Sequence, residues 1–475
     1  MKLTKIIWTI WPVTRSREQI IALYQQGVNV IRLNFSHKDY DEKKMVIDII
    51  HELNQKWITK LAILLDTKWP EIRTWYKVKP SCYIQWQIIK VTTNIQNSQA
   101  DDIFCDYPYL LEDLQIGDII KIDSGLFDVK VEKIESDHCV VSACQDGSIW
   151  SYRHINLPGK RLKLEALSHQ DQEDLLFGIE HGIHIIAMSF VRSAQDIFSL
   201  KKFWVDHGGW LIDVFAKIEN MQGIDNLESI IQASDGIMVA RWDLGIEADI
   251  SMIPVYQKQI VSLCHYYFKP VIIATQMIES MIQYPLPTRA EIQDISYAVS
   301  LWVDAVMLSW ETAIGKYPLQ AVHHMYHTIQ VTEQHNHLNQ SICKIDMRDH
   351  KWQIYAKLIQ SAVWLANDLQ AQAIIIFTKT GTGAKILSAY KPSMPCIACT
   401  RDDIVSEQLL IYYALYSLVL ENKISDLNHK GAQKIAWKAW IKWWLDSSKP
   451  YVLISDVDVI SGYRPSIQII SATNT

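Results

Sequence analysis

At 475 residues the chain is too long for one hydrophobic core and long enough for two to four domains. Its 49% hydrophobic and 21% charged composition is that of a globular protein, and a net charge of −6 gives no electrostatic case for a nucleic-acid partner. Met1–Lys5 has no signal-peptide pattern and no apolar run is long enough to span a bilayer, so a cytoplasmic protein with no membrane partner is expected.

From the N-terminus, three apolar runs come first: Lys5–Ile10, Val28–His37 and Leu61–Asp66. Each is too short for a core helix and reads as a strand buried on both faces. Helical patterns at roughly 16–26 and 40–55 separate them. Over 70–163 the rhythm changes to period-2 runs such as Ile119–Asp123 and Phe127–Glu132, punctuated by turn signals at Asp123–Gly125 and Asp146–Gly147. That pattern predicts a small antiparallel β-barrel domain inserted after the third strand. The earlier pattern resumes with His184–Ser189 and runs on through Asp213–Asn220, Asp235–Asp243, Lys269–Gln276 and Asp304–Glu311. Eight short apolar runs alternating with helix-length segments predict a (β/α)8 TIM barrel made of residues 1–69 and 164–340.

The stretch around 320–350 reads as a boundary. His323, His324, His327, His335 and His337 lie along a polar helical pattern with no carboxylate focus, which predicts a solvated helix rather than a metal site. An α/β domain is predicted over 345–475, with an amphipathic helix near 353–369 and a strand at Ala373–Thr378. The following residues, Thr378, Lys379, Thr380, Gly381, Thr382 and Gly383, open a helix. Such a loop can cradle a phosphate on backbone N–H groups or be a plain turn, and the residues alone leave both open. The eight cysteines are scattered, and the one close pair, Cys396 and Cys399, falls in an apolar run. In a strand, residues three apart face opposite sides, so this pair predicts core packing rather than metal binding.

The barrel strands end in an inventory suited to phosphoryl transfer. Lys217 and Glu219 close one strand and Asp243 closes the next. Two carboxylates on neighbouring strand ends can share a hard cation such as Mg²⁺, and a lysine beside them can stabilise a transferring phosphoryl group or an enolate. The backbone N–H groups after Arg241 could hold a carboxylate, with the Thr275 hydroxyl adding to them. Arg32 and Arg73 offer forked guanidinium groups to phosphate oxygens. Asn34, Ser36, Asp66 and Thr67 form an oxygen-rich set suited to a monovalent cation.

Nearly the whole length resembles the pyruvate kinase family. The resemblance rests on Ile31–His37, Leu65–Thr74, Asn156–Gly159, Ser189–Ser193, Ala216–Asn220, Asp235–Arg241, Ala274–Met277, Pro287–Glu291 and Met307–Thr312, in that order. It implies phosphoryl transfer from phosphoenolpyruvate to ADP, giving pyruvate and ATP. It implies that Lys217 is the catalytic lysine and that Glu219 and Asp243 hold Mg²⁺ (or Mn²⁺). Lys217, Trp242, Asp243 and Thr275 would lie against the substrate, with Arg32 and Arg73 on the phosphoryl group. Pro12, Asn34, His37 and Arg73 would lie near the nucleotide. Asn34, Ser36, Asp66 and Thr67 match the K⁺ site, and Glu71 stands where K⁺-dependent members carry glutamate. The insert would act as a lid that excludes water. The family is usually homotetrameric with a C-terminal effector domain. The loop Thr378–Gly383 resembles its effector phosphate loop, while Ser461–Arg464 does not match its second one.

The chain departs from that family in one repeated way. Tryptophan stands at family glycine positions: Trp11, Trp69, Trp242, Trp302 and Trp310, with Trp75 and Trp86 in the same set. The 18 tryptophans outnumber the 17 glycines, although glycine is normally near 7% of residues. Drift would spread substitutions over many residue types, so one systematic cause is expected: a UGA codon meaning glycine, translated as tryptophan. Two other readings are a silent barrel kept as a scaffold and a different phosphoenolpyruvate-using barrel. The first leaves the retention of Lys217, Glu219, Asp243, Thr275 and Arg73 unexplained. The insert and the C-terminal domain argue against the second.

Overall fold

Alternate residues of each barrel strand face opposite ways, and the core divides accordingly. In the computed structural model, Ile7, Leu64, Ile185, Phe215, Met238, Ile272 and Met307 pack together on the inner side. Their chain neighbours Ile6, Leu65, Ile186, Ala216, Ile237, Ile273 and Val306 join a second cluster that faces the surrounding helices. This is the period-2 geometry of strands covered on both faces. The structure describes residues 1–36, 39–68, 72–75, 80–94, 101–163, 165–336, 350–420, 449–454 and 466–470. His37, Trp69, Glu71, His337 and the 461–464 segment lie outside the described residues.

The eight strands are Lys5–Thr9, Val30–Asn34, Ala62–Asp66, Ile185–Met188, Asp213–Ile218, Gly236–Ala240, Val271–Ala274 and Ala305–Leu308. They close into a parallel barrel in which the first pairs with the eighth. The expected helices appear as Arg17–Gln25, started by a Ser16 capping box, and Tyr40–Gln55. Strand six ends at Ala240, so Asp243 stands in the first turn of the helix Arg241–Glu247 rather than on a strand end.

The insert's expected barrel is, among the described residues, a six-stranded sheet plus a two-stranded pair. Its pairings are antiparallel except where Ile88–Thr92 runs parallel to Ile103–Phe104. The C-terminal domain has a five-stranded sheet ordered Leu415–Val419, Cys396–Thr400, Ile374–Phe377, Tyr451–Ile454 and Ile467–Ile470. Cys396 and Cys399 are buried in different clusters on opposite faces of that sheet. His323, His324, His327 and His335 lie on the helix Pro318–Asn336, with His323 and His327 exposed. Among the described residues no helix is long and apolar enough to cross a membrane.

Polar groups pin the closed end of the barrel to the C-terminal domain. Asp213, at the foot of strand five, accepts from Lys385 Nζ at 2.6 and 2.8 Å and from the Tyr412 hydroxyl at 2.8 Å. Asp304, below strand eight, pairs with Lys391 at 2.7 Å and accepts from the Tyr413 N–H at 3.0 Å. Glu407 pairs with His184 at 3.0 Å and Lys60 at 3.4 Å and accepts from Asn54 at 3.1 Å.

Burial works against the charge on Glu407, but His184 and Lys60 outweigh it and hold its pKa at about 2, below the ordinary 4.5. A depressed carboxyl pKa adds stability that is present above the unfolded value and is lost as pH falls through the folded one. Glu407→Gln is therefore expected to cost about 1–3 kcal/mol at pH 7. The gap from the parent should close between pH 4.5 and about 2. Denaturant unfolding across pH measures it, and a gap that does not depend on pH would contradict it.

Candidate active site

The inward parity that buries Ile7, Leu64 and Phe215 brings polar residues to the same face at the open end. Thr9 and Asp66 end their strands, Lys217 is one residue from the end of its own, Ser189 directly follows Ile185–Met188, and Arg32 lies within Val30–Asn34. Phe215 and Lys217 are two residues apart on one strand, so the position that fills the lumen below places the ammonium group above it.

Lys217 Nζ lies 2.9 Å from Asp66 Oδ1, 2.8 Å from Ser189 Oγ and 3.0 Å from Glu219 Oε1. Arg32 Nε donates to Asp66 Oδ2 at 2.6 Å, and its Nη1 donates to Thr9 Oγ1 at 2.9 Å. Ser189 Oγ donates to the Thr67 carbonyl at 2.7 Å, and Ser189 N–H donates to Thr67 Oγ1 at 3.1 Å. Asp66, Glu219 and Lys217 are all buried.

Burial opposes charge on Lys217, but the Asp66 and Glu219 carboxylates outweigh it and raise its pKa above the ordinary lysine value. Burial also raises Asp66, yet Arg32 and Lys217 turn the balance and hold it low. Glu219 goes the other way. Burial pushes it up, Lys217 only partly offsets this, and the charge of Asp243 adds to it. The inner cluster thus sets three carboxylates against two cations and is short of positive charge. Glu219 Oε2 accepts from the Phe190 N–H at 2.6 Å, while the buried Oε1 lies against Lys217 Nζ at 3.0 Å. A buried carboxylate in a site with excess negative charge fits a hard divalent cation, with Asp243 on the same wall.

The wall beyond strand six is built by Arg241. It pairs with Asp294 at 2.7 Å and donates to the Thr275 and Gln276 carbonyls at 2.5 and 3.2 Å. Thr275 and Gln276 have φ of +68° and +53°, a left-handed turn that needs such external support. Thr275 Oγ1 accepts from the Trp242 N–H at 3.0 Å. The carboxylate-binding donor expected after Arg241 is thus joined to the hydroxyl expected to assist it.

The barrel mouth holds one cavity of about 410 Å³. It brings together Arg32, Asn34, Ser36, Asp66, Thr67, Lys217, Glu219, Trp242, Asp243 and Thr275. Asn34 and Asp66 are cross-strand partners, and Asn34 Oδ1 accepts from the Ser36 N–H at 3.0 Å. Arg73 is not on this wall. It lies in the insert, where it donates to the Tyr152 carbonyl at 2.8 Å and meets His154 at 3.0 Å. Pro12 is exposed in a short helical turn, Pro12–Thr14, beside a smaller cavity lined by Trp11, Arg15, Asn34 and Lys43. The loop Thr378–Gly383 lies in the C-terminal domain. Its Thr378 Oγ1 accepts from the Gly381 N–H at 3.0 Å, and its helix runs Thr382–Ala389.

Several lining residues had no role assigned from sequence. Asp123, Ser124, Arg153 and His154 come from the insert, and Glu311 from the turn after strand eight. Ser189 and Glu311 were visible as polar ends of apolar runs. Nothing in a period-2 pattern marks which insert loop folds over the barrel. Trp242 and Trp310 stand at the rim with ring centroids 6.1 Å apart, 36% and 57% exposed.

Comparison with known proteins agrees with this architecture. The family described as "Pyruvate kinase, barrel domain" matches residues 1–322, and "Pyruvate kinase, alpha/beta domain" matches 356–454. A pyruvate kinase of Clostridium acetobutylicum is 36% identical over 88% of this chain and 89% of its own. One from Debaryomyces hansenii is 35% identical over 90% of this chain and 86% of its own. A crystal structure of a pyruvate kinase from Cryptosporidium parvum superposes with a TM-score of 0.89 at 32% identity, covering 99% of this chain and 96% of the other.

Proposed function

The chain belongs to the pyruvate kinase family, and from that premise we propose how its barrel mouth moves a phosphoryl group from phosphoenolpyruvate to ADP. The enzyme is a phosphotransferase of that family. The observation that carries the residue assignment is the charge imbalance around Lys217, where the carboxylates of Asp66, Glu219 and Asp243 outnumber the cations of Lys217 and Arg32.

In this reading Glu219 and Asp243 hold Mg²⁺ or Mn²⁺, which when bound supplies positive charge to the phosphoryl and carboxyl oxygens of the substrate. Lys217 lies beside the bridging oxygen and stabilises the enolate as the phosphorus–oxygen bond breaks. Arg32 neutralises the phosphoryl oxygens. Thr275 and the backbone at Trp242 hold the carboxyl end. Asn34, Ser36, Asp66 and Thr67 hold K⁺, sharing Asp66 with Arg32. Pro12, Asn34 and His37 flank the nucleotide. Arg73 reaches the phosphoryl group when the insert swings over the mouth and shuts out water. The loop Thr378–Gly383 takes a phosphorylated effector, the assembly is a homotetramer, and the setting is the cytoplasm.

Pyruvate release from phosphoenolpyruvate and ADP tests this reading. Turnover should need Mg²⁺ or Mn²⁺ and should rise with K⁺. No turnover with either divalent ion, at any K⁺ concentration, would sink it.

A further inference from the structure

The backbone sorts the tryptophans in a way that composition cannot. Trp57, Trp86 and Trp302 have φ of +58°, +68° and +60°. A bulky L-residue is a true outlier there because its Cβ crowds the backbone, whereas glycine pays no such cost. Three of the thirteen described non-glycine residues at positive φ are tryptophans, in a chain with 18 tryptophans among 475 residues.

Each of the three also sits at a point of the fold where glycine is the usual residue. The helix Tyr40–Gln55 ends at the cap Lys56, and Trp57 follows. Trp57 N–H donates to the Asn54 carbonyl at 3.0 Å, and Ile58 N–H donates to the Leu53 carbonyl at 3.0 Å. That hydrogen-bond pair is the Schellman ending, whose left-handed residue is most often glycine. Trp302 follows the cap of the helix Arg289–Ser300 in the same way, donating to the Val299 carbonyl at 2.9 Å. Trp86 is the third residue of a turn closed by Gln87 N–H on the Ile84 carbonyl at 3.0 Å. A positive φ at that place is the type II turn requirement for glycine.

Burial separates two of the three from an ordinary tryptophan, while Trp302 is half-buried with its ring edge-on to Tyr413. Trp57 and Trp86 are 54% and 73% exposed. Trp204 is fully buried, and its indole N–H donates to the Trp210 carbonyl at 2.9 Å, as a tryptophan selected for its ring should be. Trp242 and Trp310 both line the cavity, with their rings tilted against each other at 6.1 Å.

We propose that the working protein carries glycine at positions 57, 86, 242, 302 and 310. UGA is read as tryptophan in some genetic codes and as glycine in others, and one such codon accounts for all five positions. Trp204, by contrast, is a true tryptophan. Only positions 242 and 310 bear on the proposed function. Positions 57, 86 and 302 lie outside the cavity, so the two ideas can fail separately.

The deciding measurement pairs the codons with peptide masses from the protein isolated from the cells that make it. UGA codons and glycine masses at the five positions, with UGG at 204, are expected. UGG codons, or tryptophan masses, at 57, 86 and 302 overturn the proposal whatever the enzyme assay gives. A second measurement follows the fold itself. Trp57→Gly, Trp86→Gly and Trp302→Gly together should raise the melting temperature of the full chain by several degrees. No rise, or a fall, removes the conformational argument. Glycine masses combined with no turnover would leave this proposal standing and overturn the functional reading alone.

Discussion

Lys217→Met is expected to lower kcat for phosphoryl transfer by about 10³-fold, roughly 4 kcal/mol of transition-state stabilisation. The size follows from where the ammonium group is held. It is buried among Asp66, Ser189 and Glu219, so its charge acts in a water-poor site and needs no reorganisation when the enolate forms. Methionine keeps the length and the packing against the lumen but carries no charge. Lys217→Arg should rescue little, because a planar fork cannot replace a point charge aimed at three acceptors. Single-turnover kinetics at saturating substrate isolates the chemical step. A methionine variant within tenfold of the parent would remove Lys217 from the centre of the reaction.

Glu219→Gln should separate activity from stability. The buried carboxyl is pushed up by desolvation and by Asp243, so its charge is costly in the folded protein without a cation. Gln keeps the shape and the acceptor for the Phe190 N–H but removes that charge. Folding free energy at pH 7 should then hold or rise, while the Mg²⁺ concentration for half-activation rises at least tenfold and kcat falls by about 10². Denaturant unfolding and a Mg²⁺ titration of turnover, run on one preparation, read both effects. An unchanged Mg²⁺ requirement would exclude Glu219 as a ligand.

Much of this site could be read before any coordinates. Each barrel strand is a short apolar run, and polar residues at its C-terminal end must fall at the mouth. Lys217 and Asp66 followed from that rule alone. Asp243 was placed correctly in space but on the wrong element, because the strand stops at Ala240 and the next turn is already helical. Arg241 shows a different limit. Its guanidinium turns away from the cavity to brace the Thr275–Gln276 turn, and side-chain direction past a strand end has no period to reveal it. Arg153 and His154 reach the cavity only because a whole sheet folds back over the barrel, a contact set by tertiary packing. The same packing leaves Arg73 beside His154 rather than in the cavity. The tryptophan at 57 became informative only once its φ angle was known.

The inner barrel cluster has a wider consequence. Ile7, Phe215 and Met307 belong to one buried set with Ile359, Leu387, Leu415 and Ile454 of the C-terminal domain. The barrel therefore has no floor of its own. A cut between the two would uncover the lower end of the lumen and strip Asp213 and Asp304 of their cationic partners in the same act. What the topology draws as two modules is, for anyone dividing the gene, a single indivisible unit. The strand whose foot rests on Lys385 is also the one that carries Lys217.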